Sequence, residues 1–345
     1  MCKDQTEGPK VNINLFGLLL AVLLQCITAQ QVRASGGGAT ITKKIGKVRV
    51  LINPQAEVRG KGPHVKLGNF YYTLIKGKRG MKIPPKAVIQ TGRASRAQLI
   101  YPNGDQLQVS SFTSYVVDTK QKSKLTEKKS VMKIFFGAVR ATIEKTGPRN
   151  DMEVKTTTMS MGVRGTDFHV AAYSQSGGSE VTILRGKVAV KDTTRKDALE
   201  VIIPKGFSAK IQVAPKVSKD RPKDVASSPV PIKLEKTTKE KLVEVQKTTV
   251  IKSTKEEKVD PALAQKLEAL EKKAVKVVMN DIKDDDPALY QELQQKGEIA
   301  TSIDKIQTVI VKKAYKQAPK AIEPSKPDAD DLDMSDEDVY QKYFD

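Results

Sequence analysis

Met161-Gly162-Val163-Arg164-Gly165-Thr166-Asp167-Phe168-His169-Val170 is the stretch from which the fold of this chain can be read. Gly162 and Gly165 bracket a tight reversal, because glycine takes positive φ and tolerates a close neighbouring strand without steric cost. Thr166 and Asp167 carry short polar side chains that bond back to turn backbone. Phe168 and Val170 then open a strand with both side chains on its inner face, which leaves His169 on the opposite face, toward solvent. Arg164 has two uses beside a glycine turn: it binds an anionic ligand, or it ties down loop carbonyls or a carboxylate.

Working outward, Val181–Leu184 and Lys187–Val190 flank Arg185-Gly186. A two-residue turn there pairs Ile183 with Val188 and Val181 with Val190, as cross-strand packing of β-branched side chains prefers. Upstream, Lys47-Val48-Arg49-Val50-Leu51-Ile52-Asn53 alternates with period two, and Asn103-Gly104 marks a turn between strand candidates at Ala97–Tyr101 and Gln106–Ser110. Similar short candidates recur from Phe70 to Gln212, separated by glycine, proline or asparagine and without a convincing helix among them. The pattern predicts a mainly β protein, with one all-β domain of sandwich- or solenoid-like build over residues 40–213.

After that body the composition changes. Residues 214–259 combine Pro222, Pro229 and Pro231 with many Lys, Glu and Thr, which predicts a disordered linker. Asp260-Pro261-Ala262-Leu263 is echoed by Asp286-Pro287-Ala288-Leu289, each with an aspartate to cap a helix and a proline for its first turn. Leu263, Leu267, Leu270, Ala274 and Val277 form a helical seam, and Ile303, Ile306, Ile310 and Ala314 a further one. Residues 260–317 are therefore read as helices or a helical hairpin, either a partner-docking element or marginal helices in a solvated tail. Residues 318–345 form an acidic disordered tail.

The apolar run Leu15–Leu24 and the small-residue exits at Ala29 and Ala34 read as a signal peptide over residues 1–29, and so as export to the periplasm or cell envelope, or secretion. The same residues admit an uncleaved anchor, or acylation at Cys26, although Gln25 stands where lipoproteins use a small residue. Membrane contact then arises only through those two routes. Both cysteines, Cys2 and Cys26, lie inside this segment, so its removal leaves no thiol for disulfide or zinc chemistry. The formal net charge is +20, with 33 Lys/Arg against 12 Asp/Glu between Gln31 and Pro215. Such a field suits an anionic partner, whether wall polymer, lipopolysaccharide or nucleic acid. Aromatics make up 5% and do not interleave with the lysines, which argues against nucleic acid.

Two motifs in order sharpen this reading. Thr91-Gly92-Arg93-Ala94-Ser95-Arg96-Ala97 leads into the Asn103-Gly104 turn, and Val163-Arg164-Gly165-Thr166-Asp167-Phe168 precedes the Arg185-Gly186 turn. Together they resemble the FecR domain, a periplasmic β module, over roughly Gly77 to Asp192. The resemblance implies structural or binding roles for Thr91, Gly92, Arg93, Ser95, Arg96, Gly162, Arg164, Gly165, Thr166 and Phe168. Members of that family pair a cytoplasmic anti-sigma segment with a membrane span and a domain that senses an outer-membrane receptor. Here about 10–14 residues precede the apolar run, short for such a segment, so a free-standing module is expected.

Catalysis is not expected. His169 and His64 lack metal-ligand spacing, Gly60-Lys61-Gly62 and Gly77-Lys78-Arg79-Gly80 lack phosphate-loop spacing, and no carboxylate pair stands out. The expectations are no catalytic residues, no cofactor and no metal. The leading functional expectation is a non-enzymatic envelope binding or scaffold protein that contacts a protein partner or an anionic polymer. The alternative is a periplasmic signalling component that senses an outer-membrane receptor.

Overall fold

Alternation along the chain becomes strands in the computed structural model, which describes residues 38–58, 62–121, 128–146, 152–174, 177–212, 232–251, 259–297 and 301–319. The predicted signal segment and nearly all of the acidic tail lie outside these. The strands are β1 Thr40–Ile45, β2 Val48–Gln55, β3 His64–Leu67, β4 Phe70–Lys76, β5 Val88–Thr91 and β6 Arg96–Ile100. Next come β7 Gln106–Val109, β8 Ser114–Gln121, β9 Lys128–Thr142, β10 Met152–Lys155, β11 Met159–Val163 and β12 Asp167–Ala172. The series ends with β13 Ser179–Arg185, β14 Lys187–Asp192, β15 Glu200–Pro204, β16 Phe207–Ile211 and β17 Lys233–Lys236. Four helices follow: α1 Lys239–Thr249, α2 Pro261–Asp285, α3 Pro287–Gln295 and α4 Ile303–Gln317. The protein is mainly β, with a helical C-terminal segment.

Hydrogen bonding lays the strands out in two layers joined through β9. Sheet A runs β1-β6-β7-β9-β12-β13-β16-β17, antiparallel throughout. Sheet B runs β3-β4-β2-β5-β8-β9-β10-β11-β14-β15, antiparallel except for the β9–β10 pair. The inward rows of both sheets meet in a single apolar core, with Leu99, Val139, Phe168, Val170 and Ile183 from sheet A against Val50, Ile89, Met132, Met161 and Val190 from sheet B. Burying an aliphatic or aromatic side chain in such a core contributes roughly 1.5–3 kcal/mol.

The chain changes sheet at glycine-bearing corners. The Arg185-Gly186 step is one of them: β13 pairs with β12 and β16, whereas β14 pairs with β11 and β15. The hairpin expected between Val181–Leu184 and Lys187–Val190 is therefore replaced by a crossing from sheet A to sheet B. Both segments keep the expected facing, because each turns its β-branched residues into the shared core from its own side. The Asn103-Gly104 turn forms as expected, with Ala97 opposite Val109 and Ile100 opposite Gln106.

β9 serves both layers because it bends at Gly137, whose φ is +89°. A Cβ there would sit 2.5 Å from the Phe112 carbonyl oxygen and against the Thr113 backbone. On the far side of the bend Val139 pairs with Val109 and with Val170 in sheet A, while Ile134 pairs with Tyr115 in sheet B.

The expected linker is ordered where it is described. Within residues 214–259, β17 adds to the edge of sheet A beside β16, and α1 starts from Thr238, whose side chain accepts the Lys241 N–H. Long-range packing of Leu242 and Val245 overrides the polar local composition. Asp260 and Asp286 cap α2 and α3 as their Asp-Pro context predicts. Replacing Gly137 by Ala should cost about 2–4 kcal/mol of stability, since both backbone conformation and space are refused. Chemical denaturation checks this, and an unchanged midpoint would mean that the bend is not required.

Candidate functional site

The outward rows of the two sheets differ in kind. On sheet A, Gln98 stands opposite Gln108, Gln108 opposite Arg140, Arg140 opposite His169, His169 opposite Thr182 and Thr182 opposite Ser208. This polar ladder crosses six strands. The adjacent row is Ile100, Gln106, Thr142, Asp167 and Arg185. Outward residues of an uncovered sheet meet water, yet the ladder is buried, with Arg140 0% and His169 1% exposed. The helices cover it.

At its centre Arg140 Nε and Nη2 donate to the two carboxylate oxygens of Asp167 at 2.9 and 2.8 Å. Two parallel charge-assisted bonds satisfy the carboxylate in a dry setting. Arg140 Nη2 also donates to the Gln307 carbonyl of α4 at 3.3 Å. The Gln307 side chain reaches down into the ladder: its Nε2 donates to Thr142 Oγ1 at 3.1 Å and Gln106 Oε1 at 3.4 Å, and its Oε1 accepts from Gln108. One turn earlier, Asp304 accepts from Lys43 at 2.7 Å and from Gln98 at 3.4 Å.

His169 lies in the same row and, contrary to the surface position expected for it, is enclosed. Neither ring nitrogen has a hydrogen-bond partner. Burial, with Lys241 and Arg140 adding repulsion, holds its pKa well below the usual imidazole value. Burial also opposes the charge on Lys241, but Glu180 at 3.0 Å and Glu244 outweigh it and keep that ammonium protonated.

The motif residues sit at corners rather than in a pocket. Thr91 Oγ1 donates to the Ser110 carbonyl at 2.5 Å and accepts the Thr113 N–H at 2.9 Å. Gly92 N–H donates to the Lys47 carbonyl, and Ser95 Oγ accepts the Lys47 N–H at 2.8 Å while donating to the Arg93 carbonyl. These bonds fix the crossing from β5 in sheet B to β6 in sheet A. Arg93 is exposed, and Arg96 Nη1 donates to the Val250 carbonyl beyond α1 at 2.7 Å.

The second motif makes the same crossing from β11 to β12. Gly165, with φ +60°, performs the reversal, and Thr166 accepts the Ile143 N–H on its carbonyl. A Cβ on Gly186 would meet Thr166 Cγ2 at 2.7 Å, so the corner at Arg185-Gly186 packs on this one. Gly162 does not share the reversal; it is an exposed position within β11, opposite Ala189. Phe168 is buried in the core, as expected. Neither expected back-bond to the turn forms: Thr166 Oγ1 is buried without a hydrogen-bond partner, and Asp167 is taken by Arg140; Arg164 is exposed. The motif's electrostatic partner is thus an arginine that sequence reasoning passed over. Arg140 alternates with Val139 and Ala141, so its place reads as a solvent face.

Among the described residues no group of three or more His, Cys, Asp and Glu is placed to hold a metal ion. Replacing Arg140 by Leu should cost about 3–5 kcal/mol by stranding Asp167, and the Arg140→Leu/Asp167→Leu double variant should recover much of it; equal losses in the two would show that the pair is not the source. A histidine whose folded pKa is depressed stabilises the fold fully above its ordinary value and progressively less as pH falls below about 6.5. Thermal melts from pH 8 to 5 should show this loss at up to about 1.4 kcal/mol per pH unit, and His169→Gln should flatten it.

Residues 87–189 match the family model described as FecR protein. The match runs from the start of β5 into β14 and so contains both corners, Arg140 and Asp167. No curated protein sequence matches the chain. Two crystal structures of a putative anti-sigma factor from Parabacteroides distasonis align with 17% and 15% identity, each at a TM-score of 0.30 over 36% of this chain. The chain spans about half of their length, 54% in each case. On that match the chain carries a FecR domain confined to residues 87–189, the stretch that holds both corners.

Proposed function

We propose that this protein is a non-enzymatic, FecR-type regulatory component of the cell envelope that acts by contacting a partner protein. The observation that supports this most is the coincidence of the family match with residues spent on architecture. Thr91 and Ser95 bond across one corner, Gly165 and the Thr166 carbonyl shape the other, and Asp167 is spent on Arg140. A domain whose motif side chains go into shape works through its surface. An envelope location follows from the leader-like segment at the N-terminus, and an outer-membrane receptor or its sigma-factor pathway is the class of partner that a FecR domain suggests.

A second reading, binding of an anionic envelope polymer, is favoured by the outer face of sheet B. There Lys133 stands opposite Lys155, Lys155 opposite Ser160, and Ser160 opposite Lys191. Arg49 and Lys76 extend the positive charge across β2 and β4, where they stand opposite each other. Within the sheet Lys155 pairs with Glu153 at 2.8 Å and Lys191 stands opposite Glu200, so it is the directly opposed Arg49–Lys76 and Lys133–Lys155 pairs, unfavourable across strands, that favour a counter-charge from outside. Lipopolysaccharide vesicles and purified wall sacculi separate the two readings. Under the partner-protein reading, the full-length protein should stay in the supernatant of both at about 0.15 M salt, where charges separated by more than ~8 Å are screened. Photo-crosslinkers at Lys155 on the open face and at Lys205 beside the helical cover should meanwhile trap one envelope protein in cells. Co-sedimentation that is lost in a Lys133→Glu/Lys155→Glu/Lys191→Glu variant, with no crosslinked protein, would overturn it in favour of the polymer.

A further inference from the structure

The helices that cover sheet A form a layer with its own interior. Leu242, Val245, Val278, Ile282, Leu289, Leu293, Ile306 and Val311 pack together, and Leu184 is the buried member that the β body contributes to them. A small patch of Ile100 with Ala274 and Ile303 is the other apolar contact. Between these two interiors lies the polar ladder. Polar groups in that seam lack partners: Gln106 Nε2, Gln108 Oε1, one Arg140 nitrogen and both nitrogens of His169. A seam optimised only for permanent packing satisfies its buried polar atoms or replaces them with apolar ones.

Ion pairs at the margins hold the layer in place. Arg185, itself nearly enclosed, donates to Asp285 at 2.8 Å and to Asp281 at 3.3 Å on α2. Lys145 reaches Asp285 at 2.7 Å, and Lys205 reaches Asp286 at 3.1 Å. Lys43 grips Asp304 on α4. Along α2, α4 and the Asp286 cap, the β body offers cations and amides and the helical segment answers with acids and an amide, whereas on α1 the pairing is reversed, with Lys241 on Glu180. The FecR match ends at residue 189, before the first of these helices.

We infer that the ladder face of sheet A is an interaction surface for an amphipathic helix of a partner protein, one bearing acidic and amide side chains on its docking face, and that α4 occupies this surface in the closed chain as a displaceable substitute. Charge complementarity and the chain's own occupant both select a helix. Asp304 and Gln307, three residues apart on one helix face, are the template for the partner's contacts. This inference deepens the partner-protein reading above and rests on it for the identity of the visitor.

The test uses the full-length protein with a fluorescent peptide copy of residues 301–319 as probe, compared between wild type and Asp281→Asn/Asp285→Asn. Loosening the margin should raise hydrogen exchange in α1–α4 about tenfold while sheet B and the inward rows stay protected, and should tighten peptide binding about tenfold. A peptide carrying Asp304→Lys should bind more weakly. Should the double variant fail to fold, the same exchange comparison is made on wild type between about 0.05 and 0.5 M salt, where ionic screening alone loosens the margin. Helices and strands that exchange together in one cooperative event, or a peptide that binds both proteins equally, would overturn the inference. The exchange readout needs no partner, so its failure leaves the proposed function standing, whereas absence of any crosslinked protein removes that function without touching the exchange result.

Discussion

A bidentate ion pair sealed from water, Arg140 with Asp167, is the constraint on which the rest of the architecture turns. Asp167 opens β12 directly after the Gly165 corner, Arg140 lies on β9 past the Gly137 bend, and the same guanidinium reaches the backbone of α4. One side chain thus joins the motif, the strand shared by both sheets and the helical cover. A buried charge is tolerated only when its partner is held in good geometry. The corner fixes one end of that geometry and the bend fixes the other, which gives both glycines an electrostatic role as well as a conformational one.

Much of the β body was legible because inward residues alternate regardless of which strand lies next door. Val181, Ile183, Val188 and Val190 were expected to pack together on a common face, and they do meet in the core, although not by the expected pairing. A two-residue step with glycine suits a hairpin and a sheet crossing equally well, and what decides between them is the Thr166 corner that Gly186 must pass at close range. Strand β11 escaped notice because Gly162 and Gly165 were read together as bracketing a reversal, which took Gly162 and Val163 out of any strand. Strand β17 and helix α1 escaped because their local composition is lysine-rich, and only partners far along the chain order them.

The ladder was the larger omission, and a signal for it did exist. Outward positions of sheet B carry Arg49, Lys76, Lys133, Lys155 and Lys191, the side chains expected of a wetted face. Outward positions of sheet A carry Gln98, Gln106, Gln108, Thr142 and Thr182, which hydrogen-bond without bringing long flexible charges. Amides and hydroxyls in place of lysines mark a face that something covers. In an otherwise strongly basic body that contrast was readable from the alternation alone, and it would have moved His169 and Arg140 from solvent to a seam.

The two faces give the protein a division of labour: a lysine-bearing sheet open to its surroundings, and a polar sheet closed under the chain's own helices. Whether the second is closed in solution is measured most directly by thiol reactivity in a background with Cys2 and Cys26 replaced by Ser. A cysteine at Gln108 beneath α4 is compared with one at Lys133 on the open face, each in the full-length protein with an aromatic disulfide reagent. The account predicts reaction at position 133 at the rate of a free thiol and at least about a hundredfold slower reaction at position 108. Equal rates at the two positions would contradict it, because the ladder would then be an ordinary wet surface and its polar residues would need no cover.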